Sequence, residues 1–79
     1  MKYVYILESV AEPERHYVGS TNDLKARFKA HNEGRVPHTA KFKPWQLNTY
    51  IAFSDEARAV AFEKYLKSHS GRAFARKRL

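Results

Sequence analysis

Two short aromatic triplets, Tyr3-Val4-Tyr5 and Tyr17-Val18-Gly19, stand in strand-like runs near the start of this chain of 79 residues. Further along, Arg27 and His31 lie four residues apart, and Glu63 is a solitary acid in a basic C-terminal part. Two phenols, a guanidinium, an imidazole and a carboxylate would suffice to hydrolyse a phosphodiester with one metal ion.

Each of these residues also has an ordinary structural explanation. Arg27 could lay its stem over the core with its charged head in water, and His31 could be a boundary histidine with satisfied hydrogen bonds. Glu63 could pair with Lys67 one helical turn away, and tyrosines favour half-buried strand positions. Spacing alone therefore predicts a basic α+β domain with a polar cluster and does not name a reaction.

The strands that must position the tyrosines follow from alternation of apolar and polar residues. Lys2 to Glu8 and Arg15 to Ser20 are predicted to pair as an antiparallel hairpin, with Ala11 to Glu14 as its turn. Trp45 to Phe53 is apolar and β-prone, which predicts a third strand.

The first helix follows the hairpin. Thr21 or Asn22 is predicted to cap it, with Asp23 in its first turn. Gly34 is predicted to end it with left-handed dihedral angles. Arg35 to Pro44 contains two prolines and is predicted to be a loop.

Two further helices are predicted after the third strand. Ser54 is expected to cap the first of them, which continues to about Lys67. Ser70 and Gly71 are expected to break it, and Arg72 to Arg78 is predicted to form a short last helix.

Helical spacing brings the polar candidates beside apolar stripes. At about 100° per residue, Arg27 and His31 are expected roughly 40° apart at the edge of the stripe on the first helix. On the next long helix, Glu63 borders the inward stripe that contains Phe62 and Leu66. An acid beside core positions needs a cationic partner or a metal ion.

The predicted fold is a single α+β domain over residues 1–79. Its elements run in the order β-β-α-β-α-α, which favours a small, mainly antiparallel three-stranded sheet flanked by helices. A chain of this length makes one compact domain with a small core.

Charge and composition narrow the classes of partner and compartment. The net charge is +7, and Ala57 to Leu79 holds seven basic residues against Glu63 alone. Such a one-sided field favours nucleic acid over a basic surface with no dedicated partner. The chain has no cysteine, which excludes disulfides and a Cys-based zinc site. The apolar run after Lys2 is too short for a signal peptide or a membrane span, so we expect a cytoplasmic protein.

Several segments together match a known pattern in order and rough spacing. They are the two triplets, Ser20-Thr21-Asn22-Asp23-Leu24, Arg27 with His31-Asn32, and Glu63 within Ala59 to Lys67. In these segments the chain resembles the GIY-YIG nuclease module, and along nearly its whole length it is similar to the short stand-alone bacterial proteins of that superfamily. Tyr3 departs from the pattern because it stands where the first triplet usually has glycine.

The resemblance implies a role for each matched position. Tyr5 or Tyr17 helps to orient or deprotonate the attacking water, and His31 assists. Arg27 holds the scissile phosphate, and Glu63 is the only protein carboxylate on the divalent metal ion, Mg²⁺ or Mn²⁺. A phenol is a poor base at neutral pH, so either a cationic neighbour lowers its pKa or His31 takes the proton itself.

Further residues are expected at the substrate. Gly19 matches the glycine that lets the backbone and the substrate approach closely. Basic residues of the loop and the last helix are candidate contacts to the nucleic-acid backbone, and they are Lys41, Lys43, Arg72 and Arg76.

We therefore expect a metal-dependent endonuclease that hydrolyses phosphodiester bonds of structured or single-stranded DNA with weak sequence preference. The resemblance implies products with a 5′ phosphate and a free 3′ hydroxyl. One alternative is a nucleic-acid-binding module of the same fold with little or no catalysis. Another is a subunit whose basic C-terminal helix docks on an acidic protein.

Overall fold

The computed structural model describes every residue from Met1 to Leu79 and contains three strands and four helices. The strands are β1 (Lys2–Ser9), β2 (His16–Thr21) and β3 (Trp45–Phe53). The helices are α1 (Leu24–Asn32), α2 (Pro37–Ala40), α3 (Glu56–Leu66) and α4 (His69–Arg78). The predicted α+β class and the order of strands and main helices are confirmed, and α2 is a short addition.

β1 is the central strand of an antiparallel sheet in the order β2-β1-β3. Tyr5 of β1 has Gly19 as its neighbour on β2 and Tyr50 as its neighbour on β3. Val4 to Leu7 are all buried, because β1 has a strand at each edge and apolar residues packed on both faces. The predicted hairpin is confirmed, and it carries Tyr5 into the middle of the protein.

Helices cover both faces of the sheet. Successive side chains of β1 point to opposite faces, so each face carries its own apolar cluster. On one face, Tyr5 and Leu7 form a buried cluster with Trp45, and Leu24 and Phe28 of α1 pack against it. On the other face lies a second cluster of Val4, Ile6, Ala59 and Leu66, the last two from α3. A site that combines α1 and α3 must therefore be built around the edge strand β2. None of the helices is both long and apolar enough to cross a membrane.

Aspartates cap α1 and α3, so the predicted caps Thr21 or Asn22 and Ser54 are wrong by one or two residues. The Asp23 carboxylate accepts a hydrogen bond of 3.1 Å from the third amide of α1. The Asp55 carboxylate accepts bonds of 2.9 and 3.3 Å from the second and third amides of α3. A carboxylate at this position also complements the positive end of the helix dipole, which a hydroxyl does not.

The predicted loop between α1 and β3 contains the single turn α2. Pro37 begins it, where a missing amide proton costs nothing. Gly34, just after α1, has a φ of 77°, which confirms the predicted left-handed residue at the end of that helix.

α4 begins earlier than predicted, and Ser70 and Gly71 lie inside it rather than before it. Ser68 is the cap, since its hydroxyl donates to the Tyr65 carbonyl at 2.6 Å and accepts from the Gly71 amide at 3.1 Å. Gly71 allows α4 to start directly against α3, because a Cβ there would lie 1.7 Å from the Tyr65 oxygen.

This close approach predicts that Gly71→Ala lowers the free energy of unfolding by about 1–3 kcal/mol through overpacking. Urea denaturation followed by circular dichroism measures the change. The exposed neighbour supplies the control, because Ser70→Ala should change stability by less than about 0.5 kcal/mol. Equal stability of the two variants would contradict the packing argument.

Candidate active site

β1 and β2 bring the two predicted phenols together on the α1 face of the sheet. The rings of Tyr5 and Tyr17 lie 6.3 Å apart between centroids. Gly19 separates them, and a Cβ there would stand 2.6 Å from Tyr5 Oη and 2.9 Å from Tyr17 Cε2. The glycine is therefore required by the two rings themselves, while its contact with a substrate stays a prediction.

His31 lies at the centre of this cluster. Its Nε2 is 2.8 Å from Tyr5 Oη, its Nδ1 is 2.7 Å from Thr39 Oγ1, and its ring centroid is 5.0 Å from that of Tyr17. The side chain is 0% exposed, so the expected position at the edge of the apolar stripe is wrong. α2 closes over α1 at this point and buries the imidazole.

The pKa values of His31 and Tyr5 move in opposite directions for the same reason. Burial, together with the charge of Arg27, lowers the pKa of His31 to about 4. Burial raises the pKa of Tyr5, and the hydrogen bond and charge of Arg27 only partly oppose it. The expected lowering of the phenol pKa by a cationic neighbour is thus outweighed. At neutral pH a protonated Tyr5 faces a neutral imidazole.

The positive charge of Arg27 lies near Tyr5 and His31 and is free to bind an anion. Its side chain is exposed on α1, and the neighbouring Tyr5 phenol raises its pKa, so it stays a cation. Arg27 takes part in no ion pair of the structure. A free guanidinium next to a buried phenol is suited to hold an anion such as a phosphate.

Glu63 lies on the opposite face of the sheet, on α3. Ser20 Oγ donates to one carboxylate oxygen at 2.6 Å, and Lys67 Nζ donates to the other at 2.9 Å. Burial alone would raise the pKa of Glu63, but the bonds from Ser20 and Lys67 and the charges of Lys67 and Lys2 lower it. The alternative interpretation as a pair with Lys67 is therefore confirmed as a contact, and the carboxylate is ionised at neutral pH.

The edge strand β2 joins the two halves of the site. Tyr17 and Gly19 belong to the cluster around Tyr5, whereas Ser20 points to the other face and binds Glu63. The charge of Glu63 reaches across far enough to raise the pKa of Tyr5. All five predicted catalytic side chains are thus grouped around one strand.

The predicted substrate contacts divide into two sets. Arg72 and Arg76 on α4 line a groove together with Lys67 and Tyr17, and Tyr17 is the one candidate catalytic residue that this groove reaches. Lys41 and Lys43 are exposed after α2, and neither forms a hydrogen bond or ion pair with a site residue. Their contact with a substrate stays a prediction.

Tyr3, the departure from the usual triplet, does not obstruct the cluster. Its ring packs against Tyr50 of β3, with centroids 6.2 Å apart in an edge-to-face arrangement. The half-exposed tyrosine therefore has a packing partner of its own, outside the hydrogen bonds that join Tyr5 and His31.

Sequence reasoning missed two residues that bind the candidate groups. Ser20 follows Gly19 in the second strand, so the alternation of side chains along a strand is the signal that assigns it to the opposite, α3 face. Thr39 lay in the predicted loop, and no periodic signal connected it to His31. Its Oγ1 is nevertheless the partner of His31 Nδ1.

The side chains at Glu63 fit a magnesium site better than a structural zinc site. No group of three or more His, Cys, Asp and Glu side chains is arranged to hold an ion, which does not fit structural zinc. Mg²⁺ keeps several waters and commonly uses only one or two carboxylates with substrate phosphates. The ionised Glu63 with the Ser20 hydroxyl beside it fits that donor chemistry.

Comparison with known proteins gives the family. The model of the GIY-YIG catalytic domain matches residues 1–78. A UPF0213 protein of Clostridium perfringens is 38% identical over 68 residues, covering 85% of this chain and 71% of that protein. The structure-specific endonuclease subunit SLX1 of Candida dubliniensis is 37% identical over 71 residues, or 81% of this chain. An SLX1 homolog of Giardia intestinalis is 32% identical over 65 residues, or 77% of this chain.

The chain belongs to the GIY-YIG family, and its three-stranded antiparallel sheet with flanking helices is consistent with the fold of a GIY-YIG nuclease domain. The resemblance to the short bacterial members is confirmed by the Clostridium protein. The chain spans only 25% and 18% of the two SLX1 proteins, so the likeness to them concerns one domain.

The buried imidazole predicts a pH dependence of stability. The pKa of His31 is about 4 when folded and 6.5 as an ordinary histidine, so between these values the unfolded chain binds a proton that the folded protein does not. Stability should therefore be full above about pH 6.5 and fall by up to about 3 kcal/mol towards pH 4. The lowered pKa of Glu63 acts in the same direction at still lower pH.

Urea denaturation between pH 7 and pH 4 measures this loss in the wild type and in His31→Gln, whose amide can keep a hydrogen bond. The variant should lose clearly less stability across this interval. An identical pH dependence of the two proteins would contradict the assignment.

Proposed function

We propose that the chain is an endonuclease that hydrolyses phosphodiester bonds of DNA with one divalent metal ion held at Glu63. The observation that supports it most is that three functional groups of different chemistry lie around β2. These are a hydrogen-bonded Tyr5–His31 pair, an unpaired cation at Arg27 and an ionised carboxylate at Glu63. Phosphodiester hydrolysis needs a proton acceptor, positive charge at the phosphate and a stabilised leaving oxygen.

Arg27 is proposed to bind the non-bridging oxygens of the scissile phosphate. Its planar fork can donate two parallel hydrogen bonds to them, and the negative charge on these oxygens grows as water adds to phosphorus. Its raised pKa keeps that charge at any pH in which the protein is folded.

Tyr5 and His31 are proposed to remove the proton from the attacking water together. The water gives a proton to Tyr5 Oη while the phenol passes its own proton to His31 Nε2, 2.8 Å away. The water oxygen bonds to phosphorus and the bond to the 3′ oxygen breaks, which leaves a 5′ phosphate. The 3′ oxygen takes up a proton from solvent and becomes a hydroxyl, and His31, with its low pKa, returns its proton through Tyr5. Tyr17 packs on the imidazole and closes this pair from solvent on the β2 side.

Glu63 and its neighbours are proposed as the metal-binding part. A bound Mg²⁺ or Mn²⁺ ion supplies Lewis-acid charge for the leaving 3′ oxygen. Ser20 would keep one carboxylate oxygen oriented, whereas Lys67 would have to release the other. The released ammonium would then lie beside Arg72 and Arg76 in the groove and could contact a neighbouring phosphate.

The proposed substrate is structured or single-stranded DNA, cleaved with weak sequence preference. Support comes from the positive charge of the C-terminal part and from the SLX1 relatives, which are named as subunits of structure-specific endonucleases. The groove lined by Arg72 and Arg76 is open, and phosphate contacts carry affinity without reading sequence.

Removing the metal carboxylate tests this proposal. Glu63→Gln should lose Mg²⁺- and Mn²⁺-dependent cleavage of labelled single-stranded, duplex and branched DNA by at least about 100-fold, since the leaving oxygen loses its stabilisation. Glu56→Gln, at an exposed acid of the same helix, is the matched control and should cleave like the wild type.

Undiminished cleavage by Glu63→Gln would refute the metal ligand. Salt-dependent DNA binding by the wild type without product under either ion would instead establish the alternative, a nucleic-acid-binding module without catalysis.

The ion pair on Glu63 predicts a second effect. Lys67→Met should strengthen Mn²⁺ binding about two- to fivefold, because the ion no longer competes with the ammonium for a carboxylate oxygen. Calorimetry or electron paramagnetic resonance on the protein without DNA measures this affinity. Lys64→Met, on an exposed position of the same helix, serves as the control for net charge. Equal affinities in the two variants would contradict competition at Glu63.

A further inference from the structure

Thr39 is a fully buried hydroxyl that the proposed reaction does not use. We propose that Thr39 is a positioning residue that holds His31 in the tautomer with its proton on Nδ1, so that Nε2 is left to accept the proton of Tyr5. Its effect on cleavage rests on the proposed function, whereas its effect on the tautomer does not.

The donors around His31 are all satisfied when the hydrogen bonds run in one direction. In that direction the Tyr5 hydroxyl donates to His31 Nε2, 2.8 Å away. His31 Nδ1 then donates to Thr39 Oγ1 at 2.7 Å, and the Thr39 hydroxyl donates to the Val36 carbonyl at 3.3 Å. Each donor in this series of hydrogen bonds has an acceptor within the protein.

The opposite direction leaves a donor without an acceptor. If the Thr39 hydroxyl donated to Nδ1, the proton of His31 would sit on Nε2 and point at the Tyr5 oxygen. The Tyr5 hydroxyl would then need another acceptor, and Arg27 has none to offer because a guanidinium only donates. An unpaired buried hydroxyl costs about 1–3 kcal/mol. Tyr5 is 1% exposed, so the first direction is favoured.

The position of the Thr39 hydroxyl is set independently of His31. Thr39 is 1% exposed, and Trp45 Nε1 donates to its backbone carbonyl at 2.9 Å. Its amide bonds to the Val36 carbonyl at 3.1 Å within the single turn of α2. The backbone of α2 and the indole thus hold the hydroxyl in place, and the imidazole has to adapt to it.

Apart from Tyr5 and Thr39, the side chains around the imidazole form no hydrogen bond with it. The ring of Tyr17 from β2 packs on the imidazole, and Arg27 from α1 acts through its charge. Glu63 is charged but lies across β2 and binds Ser20 and Lys67. Tyr5 and Thr39 are therefore the two groups that bond the ring nitrogens, and Thr39, whose own proton bonds to the Val36 carbonyl, is the one that accepts a proton from Nδ1.

Nitrogen NMR of the His31 ring at pH 7 tests the inference directly. The wild type and Thr39→Ser, which keeps the hydroxyl, should carry the proton on Nδ1. Thr39→Val, which keeps the shape but cannot accept a hydrogen bond, should populate the Nε2 tautomer measurably, because the Nδ1 proton loses its acceptor and each tautomer then leaves one buried donor unpaired. A wild type with the proton on Nε2, or an unchanged tautomer in Thr39→Val, would overturn the proposal.

Tyr5→Phe removes one hydrogen-bond partner of the imidazole and leaves the other, Thr39, unchanged. It therefore distinguishes the effects of the two partners on the tautomer. The Nδ1 proton should persist in this variant, because Thr39 still accepts it. Movement of the proton to Nε2 would mean that Tyr5 sets the tautomer, which would also overturn the proposal. If Thr39→Val proves too unstable to fold, the wild type and Tyr5→Phe still decide the question.

Cleavage rates of the Thr39 variants test whether the tautomer of His31 matters for the reaction. Thr39→Val should lower the single-turnover rate about 10- to 100-fold, as is typical when a partner that orients a functional histidine is lost. The affinity for DNA should be retained, and Thr39→Ser should restore the rate. A full rate in Thr39→Val with a shifted tautomer would remove the catalytic part of the proposal. Absence of cleavage by the wild type would instead reject the proposed function and leave the tautomer result standing.

Discussion

The hydrogen bond between the buried Tyr5 phenol and His31 Nε2 is the interaction on which the rest of the site depends. It depends on the central position of β1 and on the packing of α1 against this face of the sheet, which together bury the tyrosine. It also requires Gly19, because any side chain there would enter the space of the phenol. The same burial keeps Tyr5 protonated and His31 neutral, which makes the pair a donor and an acceptor rather than two charges.

The separation of the charged groups by β2 is the second constraint. Arg27 and the neutral pair lie on one face, whereas Glu63 is held on the other by Ser20 and Lys67. If Arg27 and Glu63 were in contact, they would form an ion pair and neither would be free for a phosphate or a metal ion. An edge strand with one helix on each side allows opposite charges to face one substrate without neutralising each other.

The sequence predicted the parts that depend on local pattern. Alternation along the hairpin assigned Tyr5 and Tyr17 to strands, and the 3.6-residue period identified Arg27 beside a core stripe. Full burial of His31 was not predictable, because it results from α2, a single turn whose place is fixed by a hydrogen bond from Trp45. The caps of α1 and α3 were misassigned by one or two residues for a similar reason. Thr21 binds the amide of Asp23 and Asp23 binds the amide of Ala26, and only the backbone path decides which of these neighbouring side chains becomes the cap.

The central claim is that the buried phenol takes part in phosphodiester hydrolysis. The most direct measurement is single-turnover cleavage of end-labelled DNA by the wild type and Tyr5→Phe, with Mn²⁺ present and both proteins shown to be folded. The account predicts cleavage by the wild type and a loss of at least about 100-fold in the variant, in which the oxygen that relays the proton is missing. Cleavage by Tyr5→Phe at the rate of the wild type would contradict it.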